Sequence, residues 1–258
     1  MKKVLKRSFT LFLTCMLVIT MVPASTLKVS AKAAKETTIA KQTKKNVTGA
    51  KKQRTVFLAA GHQQRGISAT ETLAPNSSRR KAKLTSGTAG VRTHIPEYKT
   101  NLAIAKATKK ELEKRGYKVI MLRTTNNCPL SNQQRTKKAN ASGADIHVCI
   151  HCNASGESAQ GPLVCVPGSS RYVGKKIFNN SRRLGSCLLS SVSKAVNKRS
   201  HGTIRSDYYT TINWAKIPTM ILECGFLTNS TEDRQLNSTS YQKKIAKGIA
   251  NGIDNYFK

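Results

Sequence analysis

Apolar positions along this chain fall into two rhythms. Near-continuous apolar runs at Thr55–Ala60, Tyr117–Leu122, Asp145–Ile150, Gly161–Val166 and Thr219–Leu222 read as buried strands. Between them, apolar residues recur at helical spacing. Leu102, Ile104, Ala105 and Leu112 mark a helix over Glu97–Arg115. Ile177, Leu184, Leu188, Val192 and Val196 mark a long one over Tyr172–Lys198. Ile245, Ile249 and Ile253 mark a closing helix over Thr239–Phe257. A shorter helix is expected from about Asn132 to Ser142, with Ser131 as N-cap and Gly143 as its stop. Pro96 suits the entry of the first helix and Gly116 its exit. Strands and helices alternate, which predicts an α/β fold with a mostly parallel sheet. Gln63 to Pro96 is polar, with Pro75, Gly87 and Gly90, and reads as a long loop of the kind that usually serves function. Gly202 to Asn213 reads as irregular.

The two ends of the pattern set the organisation. Lys2, Lys3, Lys6 and Arg7 precede an apolar stretch over Ser8–Val22, and Val29-Ser30-Ala31 offers small residues for cleavage after Ala31. That is the three-part form of a secretory signal, 1–31, and the apolar stretch is short for a membrane span. Residues 32–54 are rich in Lys, Ala and Thr with almost no large apolar residue, and are expected to form a disordered basic tether. Residues 55–258 suffice for one domain with a real core. The expectation is a secreted monomer with no stable membrane insertion after signal removal, acting outside the cell or in its wall.

Charge narrows the partners. The chain of 258 residues carries +33; losing the signal removes five bases and no acids, leaving +28. Such an excess predicts a polyanionic partner. Export, sparse aromatics and the lack of a nucleic-acid fold signature exclude nucleic acid. Teichoic acids and the acidic peptides of a cell wall remain. The few acids can be sorted singly. Glu71 and Glu157 read as loop residues, Glu232 and Asp233 as surface or cap positions. Glu97 and Glu223 sit at element ends beside apolar runs and are the candidates for chemistry. Six cysteines remain after the signal, and most lie in or beside core strands. Cys149 and Cys152 are three apart on a strand, hence on opposite faces, and read as packing residues.

Three strand runs end in residues suited to metal chemistry: His62, His151 and Glu223. In open α/β sheets, ligands bind beyond the carboxyl ends of the strands. Two imidazoles and a carboxylate form a common catalytic zinc set. Glu97, opening the helix after the long loop, is the alternative third ligand. Glu223 would then stay off the metal and take the proton from the attacking water, since an apolar setting raises a carboxyl pKa toward neutrality.

Four blocks then resemble a known family in order and spacing. They are Ala60-Gly61-His62, Pro96-Glu97-Tyr98 with Asn101-Leu102, Ile150-His151-Cys152-Asn153-Ala154, and Leu222-Glu223-Cys224-Gly225-Phe226-Leu227-Thr228-Asn229. Over Thr55 to Phe257 the chain resembles the zinc-dependent N-acetylmuramoyl-L-alanine amidases, secreted bacterial wall enzymes. The run Leu112 to Arg123, and Arg135 with Ala139-Asn140, are similar too. The resemblance implies His62, Glu97 and His151 as Zn2+ ligands and Glu223 as the catalytic carboxylate. It implies peptidoglycan as substrate, cut between N-acetylmuramic acid and L-alanine of the stem peptide. It also implies a single domain built on a twisted sheet of about six strands flanked by helices. Many members have Asp-Pro-Gly-His-Gly-Gly where this chain has Ala59-Ala60-Gly61-His62-Gln63-Gln64, so an acid is replaced by Ala59. Competing readings are a zinc peptidase or deacetylase acting on the wall, and a non-catalytic wall-binding protein.

Overall fold

A computed structural model describes residues 53–258. The expected signal peptide, and all of the basic tether except its last two residues, lie outside the described residues. Six strands form one sheet: β1 (Thr55–Ala60), β4 (Lys118–Met121), β5 (Ile146–Asn153), β6 (Leu163–Val166), β7 (Gly202–Arg205) and β8 (Thr219–Phe226), in the order β4-β1-β5-β8-β6-β7. β4, β1, β5 and β8 run parallel; β6 is antiparallel to β8 and parallel to β7. The α/β, mostly parallel, six-stranded expectation holds.

The strands are apolar on both faces because both are covered. Val56, Leu58, Ile146, Val148, Ile150, Met220 and Leu222 belong to one buried cluster. It is completed by α1 (Glu97–Lys114), α3 (Gly174–Val196) and α6 (Thr239–Phe257). Phe57, Ala59, Cys149 and Ile221 point the other way. There they meet Ala139 of α2 (Asn132–Ala141) and Ile212 of α4 (Thr210–Asn213). Cys149 and Cys152 fall in different clusters, as strand alternation requires. All six described cysteines are free thiols. Ser131 caps α2 with a full capping box: its hydroxyl accepts from the Gln134 amide, and the Gln134 side chain accepts from the Ser131 amide. Among the described residues, no helix is long and apolar enough to cross a membrane.

Three segments differ from the sequence expectation. The supposed loop after His62 contains an antiparallel hairpin, β2 (Ile67–Thr72) and β3 (Arg80–Leu84). Its strands are polar on both faces and lack the apolar signature of a sheet. Glu71 is therefore a strand residue, and it is buried. Its carboxylate accepts from the Gln133 amide in the first turn of α2, which pins the hairpin to the domain. The supposedly irregular stretch after α3 holds β7 and α4. A short helix, α5 (Ser230–Leu236), follows β8. Its first-turn acids Glu232 and Asp233 are buried rather than at the surface. Glu232 accepts from the Gly161 and Phe226 amides, and Asp233 from the Arg92 and Thr93 amides and the Thr93 hydroxyl. Asp233 thereby fixes the turn that leads into α1.

Helices α3 and α6 pack closely because glycines lie at the crossing. A Cβ on Gly252 would come within 2.7 Å of the Leu188 Cα, and one on Gly248 within 2.8 Å of the Val192 Cα. At an exposed helix position Gly→Ala stabilises by about 1 kcal/mol. Here the clash is with backbone, so the sign reverses. Gly252→Ala is expected to destabilise the domain by about 1–3 kcal/mol in a denaturant titration.

Candidate metal centre

The carboxyl ends of β1 and β5 bring two imidazoles to one place. The His62 and His151 ring centroids lie 4.7 Å apart at 82°. Glu97, at the start of α1, reaches between them: Oε2 is 3.3 Å from His62 Nε2, and Oε1 is 3.1 Å from His151 Nδ1. One ligand atom from each of His62, Glu97 and His151 lies within 4.8 Å of the other two. This donor set, two imidazoles and a carboxylate, fits a divalent cation with a position left over. Glu223 is directly opposite His151 in the β5–β8 register and points to the same sheet face. All four residues singled out from the sequence therefore gather at one end of the sheet.

Each side chain is oriented by local structure. His62 lies two residues beyond β1 in the left-handed region, φ 56°, an uncommon setting for a non-glycine residue. Its Nδ1 lies 2.7 Å from the Thr85 carbonyl. A carbonyl only accepts, so Nδ1 carries a proton; Nε2, which donates to Glu97 when protonated, is the nitrogen that a cation would take. Glu97 is held by the Thr88 amide at 3.1 Å, the Asn101 side-chain amide at 3.0 Å and the Cys152 amide at 3.3 Å. Gly61 must be glycine because its Cβ would lie 2.2 Å from the His151 ring. Gly87, at φ 83°, lets the loop cross so close that a Cβ would meet Glu97.

Two buried arginines brace the His62 turn. Arg123 donates to the carbonyls of Ala60, Gly61, Tyr98 and Thr125. Arg135 donates to those of His62, Cys128 and Leu130. Burial, then the neighbouring Arg135 charge, lowers the Arg123 pKa to about 10. Arg123 carried no functional signal in the sequence, since an arginine after a strand is ordinarily a surface residue. Only the position of the β1 end buries it.

The electrostatics divide the carboxylates. Burial alone would raise Glu97, but hydrogen bonds from His151 and His62 reverse this and hold it far below the carboxylate range. Burial opposes a charged His62, yet the bond and charge of Glu97 raise it overall. For His151 burial prevails and its pKa is lowered. Glu223 is pushed well above the carboxylate range by burial, then by the Glu97 charge. Its Oε2 is buried and has no hydrogen-bond partner among the described residues. One carboxylate is thus permanently ionised between the rings, and the other is poised to exchange a proton.

Residues 56–255 match the family described as N-acetylmuramoyl-L-alanine amidase. The chain belongs to this amidase family. It is 35% identical over 157 residues to the uncharacterized protein YqiI of Bacillus subtilis strain 168, covering 61% of this chain and 72% of that one. It is 28% identical over 163 residues to the N-acetylmuramoyl-L-alanine amidase LytC of the same organism, covering 63% of this chain but 31% of LytC. The crystal structure of an N-acetylmuramoyl-L-alanine amidase from Clostridium difficile 630 superposes with a TM-score of 0.65 at 27% identity, over 80% of this chain and 98% of that one. Ami1 from Mycobacterium smegmatis shares the fold, with a TM-score of 0.71 at 20% identity over 79% and 96% of the two chains.

The close approach of Gly61 to His151 makes a test of the cluster. Gly61→Ala is expected to displace the ring and weaken divalent-cation binding by about 10–100-fold, read by competition with a chromophoric chelator. A second expectation concerns pH. Bound cation requires neutral imidazoles, so affinity should fall as pH drops through the raised His62 pKa.

Proposed function

We propose that this amidase-family chain hydrolyses peptidoglycan at the amide joining the lactyl group of N-acetylmuramic acid to L-alanine of the stem peptide. In this reading His62, Glu97 and His151 hold zinc, and Glu223 is the catalytic carboxylate. The observation that carries it is the convergence of three ligand atoms within 4.8 Å beside a buried carboxyl with raised pKa. When bound there, zinc supplies Lewis acidity, polarising the scissile carbonyl and acidifying water. The protein's own residues do the remainder. Glu97 keeps its charge between the rings, and His62 keeps its proton on Nδ1 against Thr85. Glu223 Oε2 takes a proton from the attacking water and returns it to the departing alanine amine. A carboxyl with a raised pKa suits both halves of that transfer.

The placement outside the cell follows from the expected signal over 1–31, and attachment from charge. A mature chain carrying +28 is drawn to anionic wall polymers such as teichoic acids. Arg79 and Lys81 both lie over the exposed Tyr208 ring, at 5.2 and 3.8 Å from its centroid, and add to this basic surface.

Purified protein on isolated cell wall should release intact stem peptides with a free alanine amine and leave the glycan uncut, by mass analysis. A chelator should stop the reaction, and zinc should restore it. Release of shorter peptides or of acetate would instead identify a peptidase or a deacetylase. Glu223→Gln should lower turnover by about 10²–10⁴-fold while still binding zinc. Undiminished lysis by this variant would remove Glu223 from the chemistry. The acidic limb of the wild-type rate profile should lie above the ordinary carboxylate range, since the base must be ionised.

The same shift affects stability. A carboxyl raised on folding stabilises fully below its unfolded pKa, and that contribution is lost as pH rises through the folded value. Metal-free Glu223→Gln should therefore melt higher than metal-free wild type above that value, with the advantage vanishing in acid.

A further inference from the structure

A cavity of about 20 Å³ lies beside the two ligand rings, on the α2 side of the sheet. Besides those rings, its wall is formed by Ala59, Asn132, Arg135, His147, Cys149 and Thr211. That volume exceeds the roughly 10–15 Å³ that one water needs, and it is of a size for a single small ion. What marks it is its one-sided chemistry. The polar lining consists of hydrogen-bond donors or groups that can donate, and no carboxylate is among them.

Arg135 is the strongest of these. It is buried, and three of its five N–H groups go to backbone carbonyls, which leaves two. Among the described residues no ion pair neutralises it. A second buried guanidinium, Arg123, is close enough for the two charges to repel. Buried charge without a counter-charge is costly.

His147 is fully buried, and burial lowers its pKa to about 3, so its ring is neutral. Its Nε2 lies 3.1 Å from Cys149 Sγ. Cys149 is also buried, and its thiol is a group able to donate to that nitrogen. With S–H donating to Nε2, the ring proton sits on Nδ1, which has no partner among the described residues. The Asn132 amide and the Thr211 hydroxyl add donors that no protein acceptor claims among the described residues.

We propose that this cavity binds one small inorganic anion of chloride size, held by Arg135, His147, Asn132 and Thr211. The anion would neutralise the guanidinium that braces the His62 carbonyl. It would thus steady the metal-ligand turn from behind without touching substrate. The proposal does not depend on the reaction catalysed.

Bromide is the probe. Crystals of the zinc-loaded protein grown in sodium bromide should show a bromine anomalous peak in contact with the Arg135 guanidinium and the His147 ring. In solution, the melting temperature should rise saturably by several degrees with sodium bromide, over a sodium gluconate control of equal ionic strength. Ala59→Asp places a carboxylate on the cavity wall and should abolish the bromide response. Thr211→Val, at a half-buried position outside the ligand set, should weaken bromide by about fivefold, the worth of one hydrogen bond. The proposal is overturned by the lack of a peak at Arg135, by a peak only at the metal ligands, or by equal responses to bromide and gluconate. It is also overturned if both variants keep the wild-type bromide response.

Discussion

The site depends on one buried carboxylate. Glu97 is ionised between two imidazoles, and it stays there because backbone and side-chain amides are aimed at both of its oxygens. Those amides come from three separate pieces of chain: the loop at Thr88, the next turn of α1 at Asn101, and the end of β5 at Cys152. Glu97 therefore reports the mutual position of loop, helix and strand. A shift of α1 by a fraction of its pitch would leave a charge buried without partners, which costs several kcal/mol. The packing of Ile104 and Leu112 into the main core, and the Asp233 anchor under the turn before α1, hold that position.

The second constraint is the turn after β1. His62 occupies a left-handed conformation between a glycine and a glutamine, and nothing in its local sequence stabilises that. The cost is offset from outside. Arg123 and Arg135 gather seven carbonyls from the surrounding segments, and the Thr85 carbonyl takes the His62 ring proton. Cations here serve as backbone clamps rather than ion-pair partners. Their cost is concentrated beside a site that also holds two ionisable carboxyls, so the local field is strongly position-dependent. Glu97 and Glu223, near neighbours on one sheet end, are driven in opposite directions because both imidazoles bond Glu97, whereas Glu223 is desolvated and faces the Glu97 charge.

Much of the fold was legible. The five strand runs and the four expected helices appear at or near their expected bounds, because continuous apolar runs and helical stripes survive any tertiary context. Ser131 showed its capping role in the sequence because capping is local chemistry. The β2–β3 hairpin did not show, since its strands bury little and are polar on both faces. β7 and α4 were too short for periodicity to register. Glu232 and Asp233 looked like ordinary first-turn acids, and their partners at Gly161, Phe226, Arg92 and Thr93 lie far away in sequence.

By itself the sequence determined the element types, the parallel α/β class, the excess of positive charge and the short set of residues able to bind a cation. These follow from periodicity, composition and side-chain chemistry, which are properties of neighbours along the chain. The residues' own pattern left Glu97 and Glu223 both open as the third ligand, and only the resemblance favoured Glu97; the tertiary structure places Glu97 between the two rings, and it alone decided that Glu223 is desolvated and that Arg123 and Arg135 are interior. Those outcomes depend on strand register, on where helix α1 begins relative to the sheet, and on how much water each group loses. Burial and register arise only when segments distant in sequence pack together, so no local pattern encodes them.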